Sequence, residues 1–169
     1  MASKLDKVHK QDTAKNEDQR YWLMKTEPDV FSIDDLKKNK TTLWEGVRNY
    51  QARNHMMSMK VGDGVLLYHS SAETIGVAGL AVISKVAAPD PSQFDKKSEY
   101  YEKAATKEKP RWFCPEVKFS EKFKKVITLD EIKNDPELSS MLVIKRGQRL
   151  SVQPVERKDF ERITQLANQ

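Results

Sequence analysis

The residues with the most to offer chemically lie between Thr42 and Asn54, in the run TLWEGVRNYQARN. Trp44 supplies a flat aromatic face, Arg48 and Arg53 supply planar guanidinium forks, and Asn49 and Asn54 supply amides that donate and accept. That set suits a planar polar ligand such as a nucleobase, which takes stacking on its faces and hydrogen bonds on its edges. A plainer use is Trp44 as a core anchor, with the Arg and Asn side chains on a solvated helix face. Taken alone, the segment favours the plainer use.

Other chemistries find less material. Nucleophilic catalysis needs an activated Ser or Cys, a base and an orienting group. His69 directly precedes Ser70, but neighbours along a strand point to opposite faces and cannot pair as base and nucleophile. Cys114 has basic neighbours that could lower its pKa, yet reads as an inert structural thiol. It is the only cysteine, so no internal disulfide forms and a reducing compartment fits. Glu27 and Glu45 could work as an acid-base pair only if folding brings them together. No glycine-rich phosphate loop occurs, and His9, His55 and His69 lack metal-ligand spacing. The expectation is therefore a binding protein with no catalytic residue, no metal and no cofactor. No apolar run approaches the roughly 20 residues of a membrane span, and the N-terminus lacks an apolar signal core. A monomer without a membrane partner is expected.

The net charge is +5, which is compatible with a phosphate-bearing partner. Basic residues cluster at 107–111, 118–125 and 145–149, and Lys118, Lys122, Arg146 and Arg149 are the candidate phosphate contacts. A solvated face explains the charge equally simply.

The elements that position these residues follow from periodicity and punctuation. Residues 1–19 hold only Leu5 and Val8 as sizeable apolar side chains, too little to offset ordering entropy, so a flexible tail is expected before a domain over 20–169. Tyr21 to Met24 predicts a buried strand with Trp22, Met24 and Thr26 on one face, and Lys25 directed to the interior or a pocket edge. Ser32 is a helix N-cap for a short helix reaching Lys38 or Asn39. Ala52, Met56 and Met59 make a buried stripe on a helix over 50–59. Gly64 to Ser70 is apolar on both faces, as in a sheet interior. Ile75 to Val86 is a strand whose Gly76, Ala78, Gly79 and Ala81 imply a barrel bend or a close approach. The connection 87–111 is long enough to suggest a task, or is an insertion. Trp112 opens a strand with Val117, Phe119 and Phe123 facing inward. Thr128 and Glu131 form a capping-box pattern, and a helical turn follows at Asp135-Pro136. Leu142 to Ile144 and Leu150 to Pro154 read as closing strands, and a last helix buries Phe160, Ile163 and Ala167. Without regular βαβ alternation, the expected class is α+β, a mixed twisted sheet closing into a small barrel with flanking short helices.

Eight motifs then occur in order: YWLMKTEP from Tyr21, WEGVRNYQARN from Trp44, MKVGD from Met59, YHS from Tyr68, IGVAGLA from Ile75, PDP from Pro89, PRW from Pro110 and RLSVQP from Arg149. Together, over about Arg20 to Leu166, they resemble the EVE-domain family. The resemblance implies a PUA-like mixed β pseudo-barrel. It also implies a function class, since relatives in this superfamily, including the more distant YTH domains, bind nucleic acid and hold modified bases in an aromatic pocket. EVE domains are linked to modified cytosine in DNA, with RNA binding also considered. Carried over, Trp44 resembles one wall of the pocket and Trp112 a second, Lys25 and Thr26 match the rim, and Asn49, Tyr68, His69 and Ser70 occupy positions facing the same cavity. Arg48, Arg53, Trp22 and Ser151 would support it. Met57 and Ala87 depart from the family pattern, where an arginine and an aromatic ring are usual, and Glu45 replaces the commoner aspartate. The implied partner is DNA or RNA bearing a modified base. A protein-interaction module using the 87–111 connection, or an enzyme acting on a base or nucleotide, are the alternatives. Bacterial cytoplasm is the expected location, or the nucleus if the source is eukaryotic.

Overall fold

In the first strand, β1 (Tyr21–Thr26), Trp22 and Met24 join one apolar cluster and Leu23 joins another. Both faces of the sheet are therefore covered, which is why the strand that pairs parallel to β1 carries no polar face. That strand, β3 (Gly64–His69), is buried at every position. The structure is a computed structural model that describes residues 18–169, so the expected tail over 1–19 lies outside the described residues except for Asp18 and Gln19.

The remaining elements are α1 (Ile33–Asn39), β2 (Thr41–Leu43), α2 (Tyr50–Ser58), β4 (Gly76–Pro89), β5 (Phe113–Thr128), α3 (Leu129–Asn134), β6 (Val152–Val155) and α4 (Arg157–Ala167), with short 3-10 turns between. The sheet has six strands in the order β2-β5-β4-β3-β1-β6. β1 and β3 run parallel, joined by the crossover that carries α1, β2 and α2, and every other pair is antiparallel. Ile33 and Leu36 of α1 and Ala52 and Met56 of α2 pack on the Trp22 face, whereas Ile132 of α3 and Ile163 of α4 pack on the Leu23 face.

The mixed α+β sheet with short flanking helices is the architecture expected, with two corrections. The sheet does not close into a barrel. It ends at β2 and β6, only three and four residues long, and such short edges offer little unpaired backbone. Leu142–Ile144 is a 3-10 turn and not a strand, closed by the Lys145 N–H donating to the Leu142 carbonyl at 3.0 Å. Three apolar residues are too few to carry a period, so the run alone cannot separate a strand from a helical turn. Local signals fared better. Ser32 caps α1 by accepting from the Asp35 N–H, and Ala52, Met56 and Met59 are all buried.

The small residues of β4 mark close backbone approach. A Cβ on Gly79 would run into the Glu121 carbonyl oxygen of β5 and lie 2.8 Å from Ile33 Cδ1 of α1. Neither strand nor helix can retreat without disturbing the register that α1 sits on. Gly79→Ala is expected to destabilise the fold by about 1–3 kcal/mol, as overpacking does, measured by urea denaturation.

Candidate functional site

At the C-terminal end of β1 the sheet opens into a cleft of about 690 Å³, within the roughly 300–1,000 Å³ typical of small-ligand sites. Lys25 and Thr26 bring β1 to its edge, and the loop after β1 adds Glu27, Val30 and Phe31. The segment from Thr42 to Asn49, between β2 and α2, makes a second side, and Tyr100 and Ser151 complete the lining. Thr26 Oγ1 donates to the Phe31 carbonyl at 2.7 Å and so ties that loop to the strand end. The Lys25 N–H donates to the Ser151 carbonyl at 2.8 Å, which brings the start of β6 alongside.

Trp44 is 7% exposed, packs within the Trp22 cluster, and meets Phe31 edge-to-face with ring centroids 6.5 Å apart. Its backbone N–H donates to the Pro115 carbonyl at 3.0 Å. Gly46 follows with φ of +86°, a left-handed conformation, and a Cβ there would lie 2.7 Å from the Tyr100 ring. Glycine is the residue that both adopts this turn and leaves room for the ring.

Arg48 holds the distant 90–100 segment against the cleft. Its guanidinium donates to Asp90 Oδ2 at 3.0 Å, to Ser92 Oγ at 3.0 Å and to the Tyr100 carbonyl at 2.9 Å. Asp90 Oδ2 also accepts from the Gly46 N–H at 2.9 Å, and Asp90 itself is 1% exposed. Burial by itself pushes the Asp90 carboxyl up, but hydrogen bonds from Ser92, Gly46 and Arg48 outweigh it and hold the pKa below its usual value. The PDP motif is thus the anchor of a latch that clamps the long connection.

Of the residues expected at the pocket, Trp44, Lys25, Thr26, Asn49, Arg48 and Ser151 line one cleft. Asn49 is also the N-cap of α2, its Oδ1 accepting from the Ala52 N–H at 2.9 Å. Trp112 does not line the cleft. It is 5% exposed and lies under Tyr50, stacked at 4.8 Å, with the Arg48 and Arg53 guanidinium carbons 5.3 and 6.0 Å from its ring centroid. Arg53 donates to the Arg111 carbonyl at 2.9 Å, tying α2 to the segment that leads into β5. Trp22 is a core residue whose indole N–H donates to buried Asp63 at 3.0 Å.

Tyr68, His69 and Ser70 are near neighbours of the rim rather than its lining. Tyr68 is buried beneath Lys25, whose Nζ is 5.7 Å from its ring centroid. His69 Nε2 accepts from the Ile33 N–H at 3.1 Å, satisfying a donor at the start of α1. Burial lowers its pKa, Asp34 opposes that shift and Lys122 adds to it, so the neutral ring that can accept is favoured. The Ser70 N–H donates to the Thr26 carbonyl at 2.9 Å. Among the basic candidates, Lys122 is paired to Asp34 at 2.8 Å, while Lys118, Arg146 and Arg149 are exposed.

Phe31, Glu45, Val47 and Tyr100 are lining residues that spacing alone does not single out. The one available signal for Tyr100 is the length of the connection that carries it. Glu27 and Glu45 both reach the cleft. Loss of water pushes the Glu45 carboxyl up, nearby Asp90 pushes it further, and Arg48 opposes. Lys25 is lowered by burial. Cys114 is buried and its thiol is pushed up to about 12, chiefly by desolvation with help from Asp90 and Glu45, so it is no nucleophile at neutral pH. Among the described residues no group of three or more His, Cys, Asp or Glu side chains is placed to hold a metal ion. No helix there is long and apolar enough to cross a membrane.

A sequence model of the EVE domain matches residues 20–166. The chain belongs to the EVE-domain family. This EVE domain is 40% identical over 165 residues to thymocyte nuclear protein 1 of Gallus gallus, spanning 86% of this chain and 68% of that protein. A solved hypothetical protein from Leishmania major superposes with a TM-score of 0.86 at 48% identity, covering 90% of this chain and 96% of that one. Human THYN1 protein, solved in complex with DNA containing 5-methylcytosine, superposes with a TM-score of 0.82 at 38% identity, covering 89% of this chain and 99% of that one. The family that the eight motifs resemble is the family of this EVE domain.

Proposed function

We propose that this EVE domain binds DNA without catalysis and holds a modified cytosine in the cleft lined by Trp44, Phe31 and Tyr100. The observation that carries the reading is an open aromatic cleft in a fold whose human relative is solved with 5-methylcytosine-containing DNA. Extruding a base costs a few kcal/mol, and stacking on aromatic faces returns about 1–3 kcal/mol per base. Phe31 and Tyr100 supply ring surface beside Trp44, and Trp112 braces the wall from behind through Arg48. Lys25, half-buried at the rim without a carboxylate partner among the described residues, is placed to meet a phosphate or a base acceptor. Exposed Lys118, Arg146 and Arg149 add attraction for the backbone, and Lys122 less, because Asp34 already engages it. The word nuclear in the names of the vertebrate relatives supports the nuclear location over bacterial cytoplasm.

Fluorescence anisotropy tests this, using oligonucleotides that differ in one base (cytosine, 5-methylcytosine or 5-hydroxymethylcytosine), as DNA and as RNA, at several salt concentrations. The modified DNA is expected to bind most tightly, with log affinity falling against log salt by about 0.7–0.9 per neutralised phosphate. Equal affinity for modified and plain cytosine would remove the reader assignment. Salt-independent binding to protein partners only would favour an interaction module, and turnover of a nucleotide probe would favour an enzyme.

A further inference from the structure

Thymine carries the same 5-methyl group as 5-methylcytosine and is abundant in any DNA. A cleft that takes an extruded base by stacking and methyl contact alone would fill with thymine. The two bases differ at position 4, an amino donor in cytosine and a carbonyl acceptor in thymine. They differ again at N3, a bare acceptor in cytosine and an N–H donor in thymine. A cleft selective for cytosine therefore needs an acceptor facing position 4 and a donor facing N3.

We propose that Glu45 selects cytosine over thymine, its carboxylate accepting from the N4 amino group while the Asn49 amide donates to N3. The assignment rests on the cleft reading given above. Glu45 directly follows the stacking residue Trp44 and lines the cleft. Its backbone N–H donates to the Leu43 carbonyl at 2.9 Å, but its carboxylate has no hydrogen bond or ion pair among the described residues. Nearby Asp90 is the opposite case, with both oxygens engaged by Gly46, Arg48 and Ser92. Arg48 is likewise spent on Asp90, Ser92 and the Tyr100 carbonyl, so it does not neutralise Glu45 by direct contact.

Asn49 supplies the matching half. Its Oδ1 is committed to the Ala52 N–H at 2.9 Å, so the group left for a ligand is the amide N–H₂, a donor. An Asn free to flip could serve either base, whereas one held as a helix cap presents a single sign. A thymine in the same pose would set its O4 against a carboxylate and its N3–H against an N–H₂, two mismatches at once. The charge has a cost that makes its presence informative. An unpaired carboxylate at the mouth of a cleft repels phosphates, in a chain of net charge +5 that otherwise attracts them.

The test uses the full chain and three single-stranded DNA probes that differ at one central base, 5-methylcytosine, thymine or cytosine, with Glu45→Gln and Trp44→Leu as variants. Glu45→Gln keeps the size of the side chain but can donate as well as accept, and its folding is checked by thermal denaturation. Wild type is expected to prefer 5-methylcytosine to thymine, and Glu45→Gln to cut that ratio about 10-fold or more, the scale of losing one specific base contact. Part of the change should be a gain in thymine binding, which a misfolded variant could not show. If Trp44→Leu weakens binding and Glu45→Gln leaves the ratio unchanged, the cleft stands and the assignment of Glu45 is overturned. If wild type does not separate 5-methylcytosine from thymine, the assignment is overturned as well. If Trp44→Leu also leaves every affinity unchanged, the cleft reading itself falls.

Discussion

Asp90→Ala is expected to lower stability by about 3–5 kcal/mol, because it strips the partner from a guanidinium that stays mostly buried. The Asp90 side chain is 2% exposed and that of Arg48 21%. In a domain of this size the change corresponds to a drop in melting temperature on the order of 10 °C. The damage should not stop at stability. Asp90 accepts from the Gly46 N–H, and Arg48 reaches on to the Tyr100 carbonyl, so the latch holds both the glycine turn and the ring packed upon it. Removing it frees one wall of the cleft, and DNA affinity should fall along with stability. Arg48→Ala should cost less than the sum of independent losses when combined with Asp90→Ala, a coupling that a double-mutant cycle reads directly. The pH dependence has a definite sign. The folded pKa of Asp90 lies below its unfolded value near 3.9. Its contribution is therefore complete above about pH 3.9 and is lost as pH falls through the lower folded value. Wild type should lose stability steeply in that acid range, and Asp90→Ala should lack this component of the loss.

That latch also shows what the sequence could not disclose. Arg48 in the WEGVRN motif and Asp90 in the PDP motif are each legible as polar residues in need of partners. Nothing in either motif says that the partner is the other, 42 positions away. Pairing at that distance is a property of the β4–β5 registers and of the connection between them. Patterns that live within one element were open to reading. The two-sided apolar run of β3, the stripe of Ala52 and Met56 on α2 and the Ser32 cap all follow from periods and local hydrogen bonds, and the structure has each. Asn49 lies between these cases. Its amide is legible as a ligand group, and the start of α2 at Tyr50 gives its oxygen a second duty as a cap. Tyr100 was hidden for a different reason. It reaches the cleft because Gly46 takes a positive φ and offers no side chain, a condition set 54 residues earlier in the chain. Tryptophan draws attention to Trp112 by type alone, but type does not say which side of a wall a ring occupies.

Trp44 and Trp112 can therefore be set against each other. Trp44→Leu is expected to weaken binding of DNA containing 5-methylcytosine by roughly 5- to 150-fold, the equivalent of losing about 1–3 kcal/mol of stacking. Leucine is the better replacement, because Trp44 is buried among Phe31 and the core, and truncation to alanine would remove about 3–5 kcal/mol of stability. The salt slope should not move, since no phosphate contact is altered. Trp112→Leu should show the reverse balance. Its ring stacks on Tyr50 and lies beside the two guanidinium groups, away from the cleft lining, so the loss falls on stability and on the seat of Arg48. Anisotropy and urea denaturation on the same preparations separate the two outcomes. If Trp112→Leu weakened binding more than Trp44→Leu at equal stability, the base would have to enter beside Trp112. The wall built from Phe31, Trp44 and Tyr100 would then be a rim and not a seat.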